Sequence, residues 1–205
     1  MPELNALYNA DSLEALRERY DAWAAQYEED AKALGRMLPP AVAGMVGKHA
    51  PPGGTGPVMD AGCGTGVMGQ VLTTLGYGPI DGLDLSPGML EMAARKNVYR
   101  RFHEAAIGPD RLRITAAYYN LCVVVGVFTL GHAGPEGLDE LVRITRRGGV
   151  LIFSASMPVL DDTFQAKIQH LCDQGKWRLL EATPPFPTIL NSPDALDGRV
   201  FAYQR

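Results

Sequence analysis

The chain has 205 residues, 46% hydrophobic and 20% charged, which supplies one globular core plus a short accessory segment and leaves no room for a separate target-recognition domain. A net charge of −4 without any basic run excludes the phosphate-backbone attraction that nucleic-acid binders need, so a small molecule is the expected partner. No apolar run approaches membrane-spanning length, so no membrane partner is expected.

Residues 12–36 place Leu13, Leu16, Tyr20, Trp23, Tyr27, Ala31 and Leu34 at three- and four-residue steps, which predicts a helical face with room for an internal break. Asp11 and Glu14 have capping-box spacing at its start, and Gly35 followed by Pro39-Pro40 ends it. A second short helix is expected over 40–49, and Pro51 to Pro57 reads as a linker. The expected organisation is an N-terminal helical lid, residues 1–50, followed by one compact unit, residues 51–205.

Val58–Ala61 predicts the first strand, which runs into Asp60-Ala61-Gly62-Cys63-Gly64-Thr65-Gly66. Glycines at alternate positions reach positive φ, bring backbone close to a ligand and leave amide N–H groups uncovered. A helix opening at Thr65 or Gly66 and covering 66–75 turns its amide-rich start to the same spot. A dinucleotide loop keeps carboxylates away from its pyrophosphate. Asp60 stands at this turn and suits a ligand carrying positive charge. A Gly-rich turn without a ligand and a nucleotide site are the alternatives.

Further strands are expected at Ile80–Leu85, Phe102–Ile107, Leu121–Phe128 and Val150–Ala155. Helices are expected from Ser86-Pro87 onward, over 136–146 and over 161–174, with no room for one between 108 and 119. Trp177–Thr183 and Arg199–Tyr203 read as strands without a crossover helix and should pair antiparallel. The fold class is therefore α/β: a mostly parallel seven-stranded sheet, helices on both faces, and a C-terminal antiparallel hairpin.

Ligands of such sheets sit at the carboxyl ends of the strands. Asp84, ending the second strand, can accept hydrogen bonds from both hydroxyls of a ribose; a helix-capping role is the alternative. Leu85 and Met89 can flank a ligand there with apolar surface or serve as ordinary packing. Val125 and Gly126, in the fourth strand, should lie under the ligand. His132 follows as the best-placed general base, its neutral form well populated near pH 7; a structural loop histidine is the alternative. Three cysteines, Cys63, Cys122 and Cys172, have neither metal-ligand nor disulfide-framework spacing. No metal is expected, and a reducing, cytoplasmic compartment is the simplest reading.

The acid-Gly-Cys-Gly-Thr-Gly string resembles motif I of the class I S-adenosylmethionine-dependent methyltransferases, whose Rossmann-like fold also ends in such a hairpin. The resemblance implies S-adenosylmethionine held by Asp60, Ala61, Gly62, Cys63, Gly64, Thr65 and Gly66. Asp84 matches the family's second motif and would clasp the ribose, with Ser86 beside it and Leu85 and Met89 sandwiching the adenine. Two departures stand out. Ala106, followed by Ile107, occupies the place of an adenine-contacting Asp, and Asn120 replaces a strand-entry Asp. Tyr20-Asp21-Ala22-Trp23 through Tyr27-Glu28, together with Gly126-Val127-Phe128-Thr129-Leu130-Gly131-His132, is most similar to the methyltransferase-like proteins of the Williams–Beuren-region type and their bacterial relatives. In that group a lid aromatic commonly touches the methionine end of the cofactor, which implies Tyr27 or Trp23, with Tyr20 of the same segment a further cofactor-binding candidate; a helix packing its aromatic face on the core is the alternative. The resemblance implies methyl transfer to a small-molecule acceptor that it does not name. A cofactor-binding module without efficient catalysis and a nucleotide-dependent oxidoreductase are the competing readings.

Overall fold

The computed structural model describes residues 10–50 and 55–205. Three helices come first: α1 (Leu13–Trp23), α2 (Tyr27–Ala33) and α3 (Leu38–His49). Then strands and helices alternate through β1 (Thr55–Ala61), α4 (Val67–Thr74), β2 (Gly78–Asp84), α5 (Pro87–Ala94), β3 (Tyr99–Glu104), β4 (Tyr119–Phe128), α6 (Gly137–Ile144) and β5 (Thr145–Ser156). A short 3-10 turn, Met157–Val159, leads to α7 (Asp162–Asp173), β6 (Arg178–Ala182), β7 (Phe186–Pro187) and β8 (Asp197–Gln204).

These strands form one eight-stranded sheet with main order β3-β2-β1-β4-β5-β8-β6; the two-residue β7 pairs with β8 off this path. The first five strands on that path are parallel, and β8 runs antiparallel to both β5 and β6. The expected α/β fold and its antiparallel end are therefore present, with eight strands in place of the expected seven because the two-residue β7 adds to β8. Val123, Val124, Ile152 and Phe153 are buried on both faces of the centre, as the apolar run required. One face packs against Leu138, Leu141 and Ile144 of α6 and Phe164 and Leu171 of α7. The other packs against Val42, Met45 and Val46 of α3 and Met68 and Leu72 of α4. Around Phe153 the rings of Phe128, Phe164, Trp177, Phe201 and Tyr203 gather, with Trp177 and Tyr203 stacked at 4.0 Å. Such pairs add about 0.5–1.5 kcal/mol beyond the area they bury.

The structure corrects several boundaries. Ser12, not Asp11, caps α1, its hydroxyl accepting from the Ala15 amide. The expected internal break falls between Trp23 and Tyr27. Helix α3 packs into the main core through Val42, Met45 and Val46. Part of the expected linker, 51–54, lies outside the described residues, and the rest already belongs to β1. Strand β3 starts at Tyr99, three residues earlier than expected, because it pairs with β2 through register and its exposed face leaves no apolar pattern to read. Strand β5 begins at Thr145, so α6 is shorter than its pattern suggested. The segment between β3 and β4 has no helix, as expected. It is pinned by Arg143, which pairs with Glu140 and donates to the carbonyls of Leu112 and Ile114.

Candidate active site

The carboxyl ends of β1, β2, β3 and β4 converge on one cavity of about 770 Å³, within the usual range for small-molecule sites. Its floor is built by residues 62–65, Leu83, Asp84 and Leu85, then Ala105, Ala106 and Ile107, then Val125 to Thr129. Its roof comes from α1, α2 and the turn after them, with Tyr20, Tyr27 and Arg36 in the wall.

Gly62, Gly64 and Gly66 all have positive φ, at +75°, +52° and +88°. At Gly62 a Cβ would fall 2.1 Å from Val127 Cγ2, so β4 requires glycine there. At Gly64 a Cβ would meet nothing within 4 Å, which marks the open side of the loop. The expectation of uncovered amides is corrected for most of the loop. Gly62 and Cys63 donate to the Leu83 carbonyl at 2.6 and 2.9 Å, Gly66 donates to Cys63, and Gly64 donates to Asp84 Oδ2 at 2.8 Å. The loop thus offers a surface free of side chains more than a set of free donors, because a buried amide must find a partner inside the protein.

Asp84 sits at the cavity edge. Its other oxygen accepts from the Ser86 amide at 3.0 Å. Each carboxylate oxygen carries two lone pairs, so both can still accept from a diol. Burial pushes the Asp84 carboxyl up; the amides of Ser86, Gly64 and Leu85 counter that, and the charge of Asp21 adds to it. Leu85, Met89 and Ile107 provide an apolar slot beside it. Thr65 is buried, lines the cavity, and its hydroxyl has no hydrogen-bond partner among the described residues. A diol acceptor, an apolar slot and an orphaned hydroxyl fit the ribose, the base and the amino-acid end of an adenosyl amino acid.

Strand β4 bulges where it reaches the cavity. Its register with β5 slips between Val124 and Phe128, Gly126 takes φ +73°, and the Gly126 amide donates to Ser154 Oγ at 2.8 Å. A bulge at a site edge re-aims the chain, and here it puts Val125, Gly126 and Val127 in the cavity wall.

Five candidates do not line the cavity. Asp60 is fully buried beneath the loop, where Tyr99 donates to its Oδ2 at 2.7 Å and its Oδ1 has no hydrogen-bond partner among the described residues. Burial pushes its carboxyl up to about 7, against the Tyr99 hydrogen bond, with Asp84 adding to the rise. Its expected direct contact with a cationic ligand is therefore corrected: strand alternation turns the side chain away from the loop's open face. Ala61 faces the core. Gly66 is covered by Tyr99, Lys96 and Ala93. Ser86 caps α5, accepting from Met89 N at 3.1 Å. Trp23 is buried, its indole N–H donating to Asp30 Oδ2 at 2.7 Å, and serves as packing for Tyr20 and Tyr27. Asn120 lies against Gly56, away from the cavity.

The remaining candidates line one space: Tyr20, Tyr27, Gly62, Cys63, Gly64, Thr65, Asp84, Leu85, Met89, Ala106, Ile107, Val125, Gly126 and His132. Tyr20 Oη lies 2.7 Å from His132 Nε2, and His132 Nδ1 lies 2.8 Å from the Leu130 carbonyl. Burial holds the imidazole below its ordinary range; its bond to Leu130 raises it somewhat, and the nearby Arg36 charge lowers it again. Arg36 itself donates to the Tyr27 hydroxyl and stacks on that ring.

The sequence reading missed Asp21, Arg36 and Gly88. Asp21 Oδ1 accepts from Ser86 Oγ at 2.5 Å and from Gly88 N at 2.8 Å, so α1 caps α5. A Cβ on Gly88 would come within 3.0 Å of the Asp21 backbone. Glu28 of α2 pairs with Lys96 at 2.8 Å. Asp21 and Gly88 are 67 positions apart, and no local pattern signals such a contact.

Residues 58–149 match a family model described as a methyltransferase domain. Over 170 residues the chain is 27% identical to Methyltransferase-like protein 27 of Homo sapiens, covering 80% of this chain and 69% of that one. Over 156 residues it is 31% identical to a malonyl-[acyl-carrier protein] O-methyltransferase of Serratia marcescens, covering 74% of this chain but only 58% of the relative. The fold superposes with a TM-score of 0.63 on the TehB-like S-adenosylmethionine-dependent methyltransferase of Corynebacterium glutamicum, at 18% identity, covering 92% of this chain and 98% of the other.

Proposed function

We propose that this chain is an S-adenosylmethionine-dependent methyltransferase, as the methyltransferase-domain match over 58–149 and the similarity to methyltransferase-like and O-methyltransferase relatives favour, and that it methylates a small molecule admitted beneath the segment formed by α1 and α2. When bound, the cofactor supplies an electrophilic methyl group on a sulfonium. Everything else falls to the protein. In this reading Asp84 holds the ribose and the Gly62–Thr65 loop accommodates the amino-acid end, with Thr65 as a donor. Leu85, Met89, Ala106 and Ile107 flank the adenine, and Val125 and Gly126 form the floor. The N-terminal segment acts as the lid, and His132 serves as base for acceptors that must lose a proton. Holding two reactants in line can supply about 7–11 kcal/mol of barrier reduction, and a positioned base adds roughly 10²–10⁴-fold.

The observation that carries this reading is the single cavity shared by the glycine loop, Asp84 and His132. An oxygen acceptor is favoured by the name of the Serratia relative, an O-methyltransferase. Net charge of −4 favours a partner other than nucleic acid. Among the described residues no helix is long and apolar enough to cross a membrane. A cytoplasmic setting accords with the three free cysteines.

The test is calorimetry with S-adenosylmethionine, followed by assay of S-adenosylhomocysteine with a panel of small acceptors. Saturable cofactor binding and acceptor-dependent product are expected. Absence of binding sinks the reading. A second reading, a cofactor-binding module without turnover, is favoured by Ala106, which lines the cavity without a polar side chain for the adenine. It predicts binding with no product from any acceptor.

A further inference from the structure

We propose that the acceptor carries a phenol- or enol-type hydroxyl, and that Tyr20 relays its proton to His132. The inference rests on the methyl-transfer reading above and specifies its acceptor class and a second catalytic residue.

The geometry of the pair fixes who donates. The Leu130 carbonyl can only accept, so His132 Nδ1, 2.8 Å away, carries the ring hydrogen of the neutral imidazole. Nε2 then presents a lone pair, and the Tyr20 hydroxyl at 2.7 Å is its donor. The imidazole therefore meets the acceptor through a phenol. A hydroxyl that donates one hydrogen can also accept one, and Tyr20 and His132 both line the cavity. The rings stand edge to face with centroids 5.7 Å apart, which holds the pair in this orientation.

The chemistry of the wall selects the acceptor. A carboxylate acceptor is already ionised at neutral pH and has no use for a base. An aliphatic hydroxyl is about as weak an acid as water, so it yields its proton to an imidazole only in concert with bond formation and gains least from a base whose affinity for protons is lowered by burial. A phenol, at roughly 10, lies within reach of base assistance. Arg36 lines the same cavity, fixed by the Tyr27 hydroxyl and ring. A cation there favours an oxyanion as it forms. Leu38, Pro39, Ile189 and Leu196 complete an apolar surround suited to a ring or a conjugated enol.

The step balances. The acceptor proton passes to the Tyr20 oxygen as the Tyr20 proton passes to His132 Nε2. The acceptor oxygen forms the new O–C bond, and the C–S bond breaks with its electron pair left on sulfur. One positive charge moves from sulfonium to imidazolium, which returns its proton to solvent after product leaves.

The test uses the whole chain with 4-substituted phenols, matched benzoates and matched benzylamines, and S-adenosylhomocysteine as readout. Phenols should be methylated in preference to the other two classes. Tyr20→Phe should slow phenol methylation at least tenfold and His132→Asn at least 100-fold, each leaving cofactor affinity within threefold of the parent. Nitrogen NMR of the imidazole in the free protein should show the Nδ1–H tautomer at neutral pH, with the Nε2 resonance shifted in Tyr20→Phe. Turnover of benzoates or benzylamines but not phenols, no turnover of any class, unchanged phenol rates in both variants, or an Nε2–H tautomer would overturn it. Failure of the parent protein to bind the cofactor would strike the methyl-transfer reading itself, a result separable from all of these.

Discussion

Asp84 Oδ2 accepts the Gly64 amide at 2.8 Å, so the residue that ends β2 also fixes the apex of the loop leaving β1. One carboxylate thereby shapes two walls of the cavity. Asp84→Ala should lose the loop anchor and, with it, the proposed ribose contact, where hydrogen bonds to an ionised group contribute about 1.5–3 kcal/mol each. Gly64→Val should suffer differently: the space is open, but φ +52° is costly for a β-branched residue. Each variant is expected to weaken S-adenosylmethionine binding at least tenfold by calorimetry. Parent-like affinity in both would dismiss the assignment of this loop.

Asp21 ties α1 to the start of α5. Removing its carboxylate in Asp21→Ala leaves the Gly88 amide without its partner and the Ser86 hydroxyl without its acceptor. Loss of a helix cap costs about 1 kcal/mol. The expected result is a modest fall in stability, together with faster hydrogen exchange concentrated in α1 and α2. Gly88→Ala should act in the same direction, since its Cβ meets the Asp21 backbone at 3.0 Å. Uniform exchange change across the sheet would argue against a local latch.

Asp60 makes stability depend on pH. Its carboxyl lies near 7 in the fold because of burial and near 3.9 in an unfolded chain. Between those values the folded state holds more protons, so this group's contribution falls as pH rises from about 4 to about 7. Asp60→Asn keeps a carbonyl for Tyr99 and removes the titration. The difference in urea midpoint between Asp60→Asn and the parent should therefore shift in favour of the variant as pH rises through that window. A constant difference from pH 4.5 to 7.5 would contradict this.

His132 has the opposite displacement: burial and the Arg36 charge lower its ordinary value of 6.5. Its neutral form therefore survives into mildly acidic solution. The ascending limb of the pH–rate profile with a hydroxyl acceptor should lie below the value for a free histidine, and Arg36→Gln should move it upward. The same lowered value means that protonation opposes folding as pH falls through and below 6.5. NMR titration of the His132 ring provides the direct check.

Local sequence was sufficient where the physics is local. Alternating glycines after an apolar strand specified the loop, the Leu121–Phe128 run specified a strand buried on both sides, and the missing crossover helix specified the antiparallel end. Asp84 was legible because a strand-end acid in a parallel sheet has one place to point. Asp60 was not: one residue's difference in strand alternation decides whether a side chain faces a ligand or the layer beneath, and neighbouring composition is silent on that. Tyr20 and Trp23 share one helical face in the sequence, yet only Tyr20 reaches the cavity, because Asp30 draws the Trp23 indole away.

The chain by itself therefore determined the elements, their parallel order and the carboxylate beside the loop, all of which follow from periodicity and backbone freedom within a few residues. Only the tertiary structure decided which side chains meet. Tyr20 with His132 and Asp21 with Gly88 are joined by packing the N-terminal helices over the sheet, which also brings Arg36 into the cavity wall. Contacts across 112 or 67 positions depend on that packing and leave no local trace.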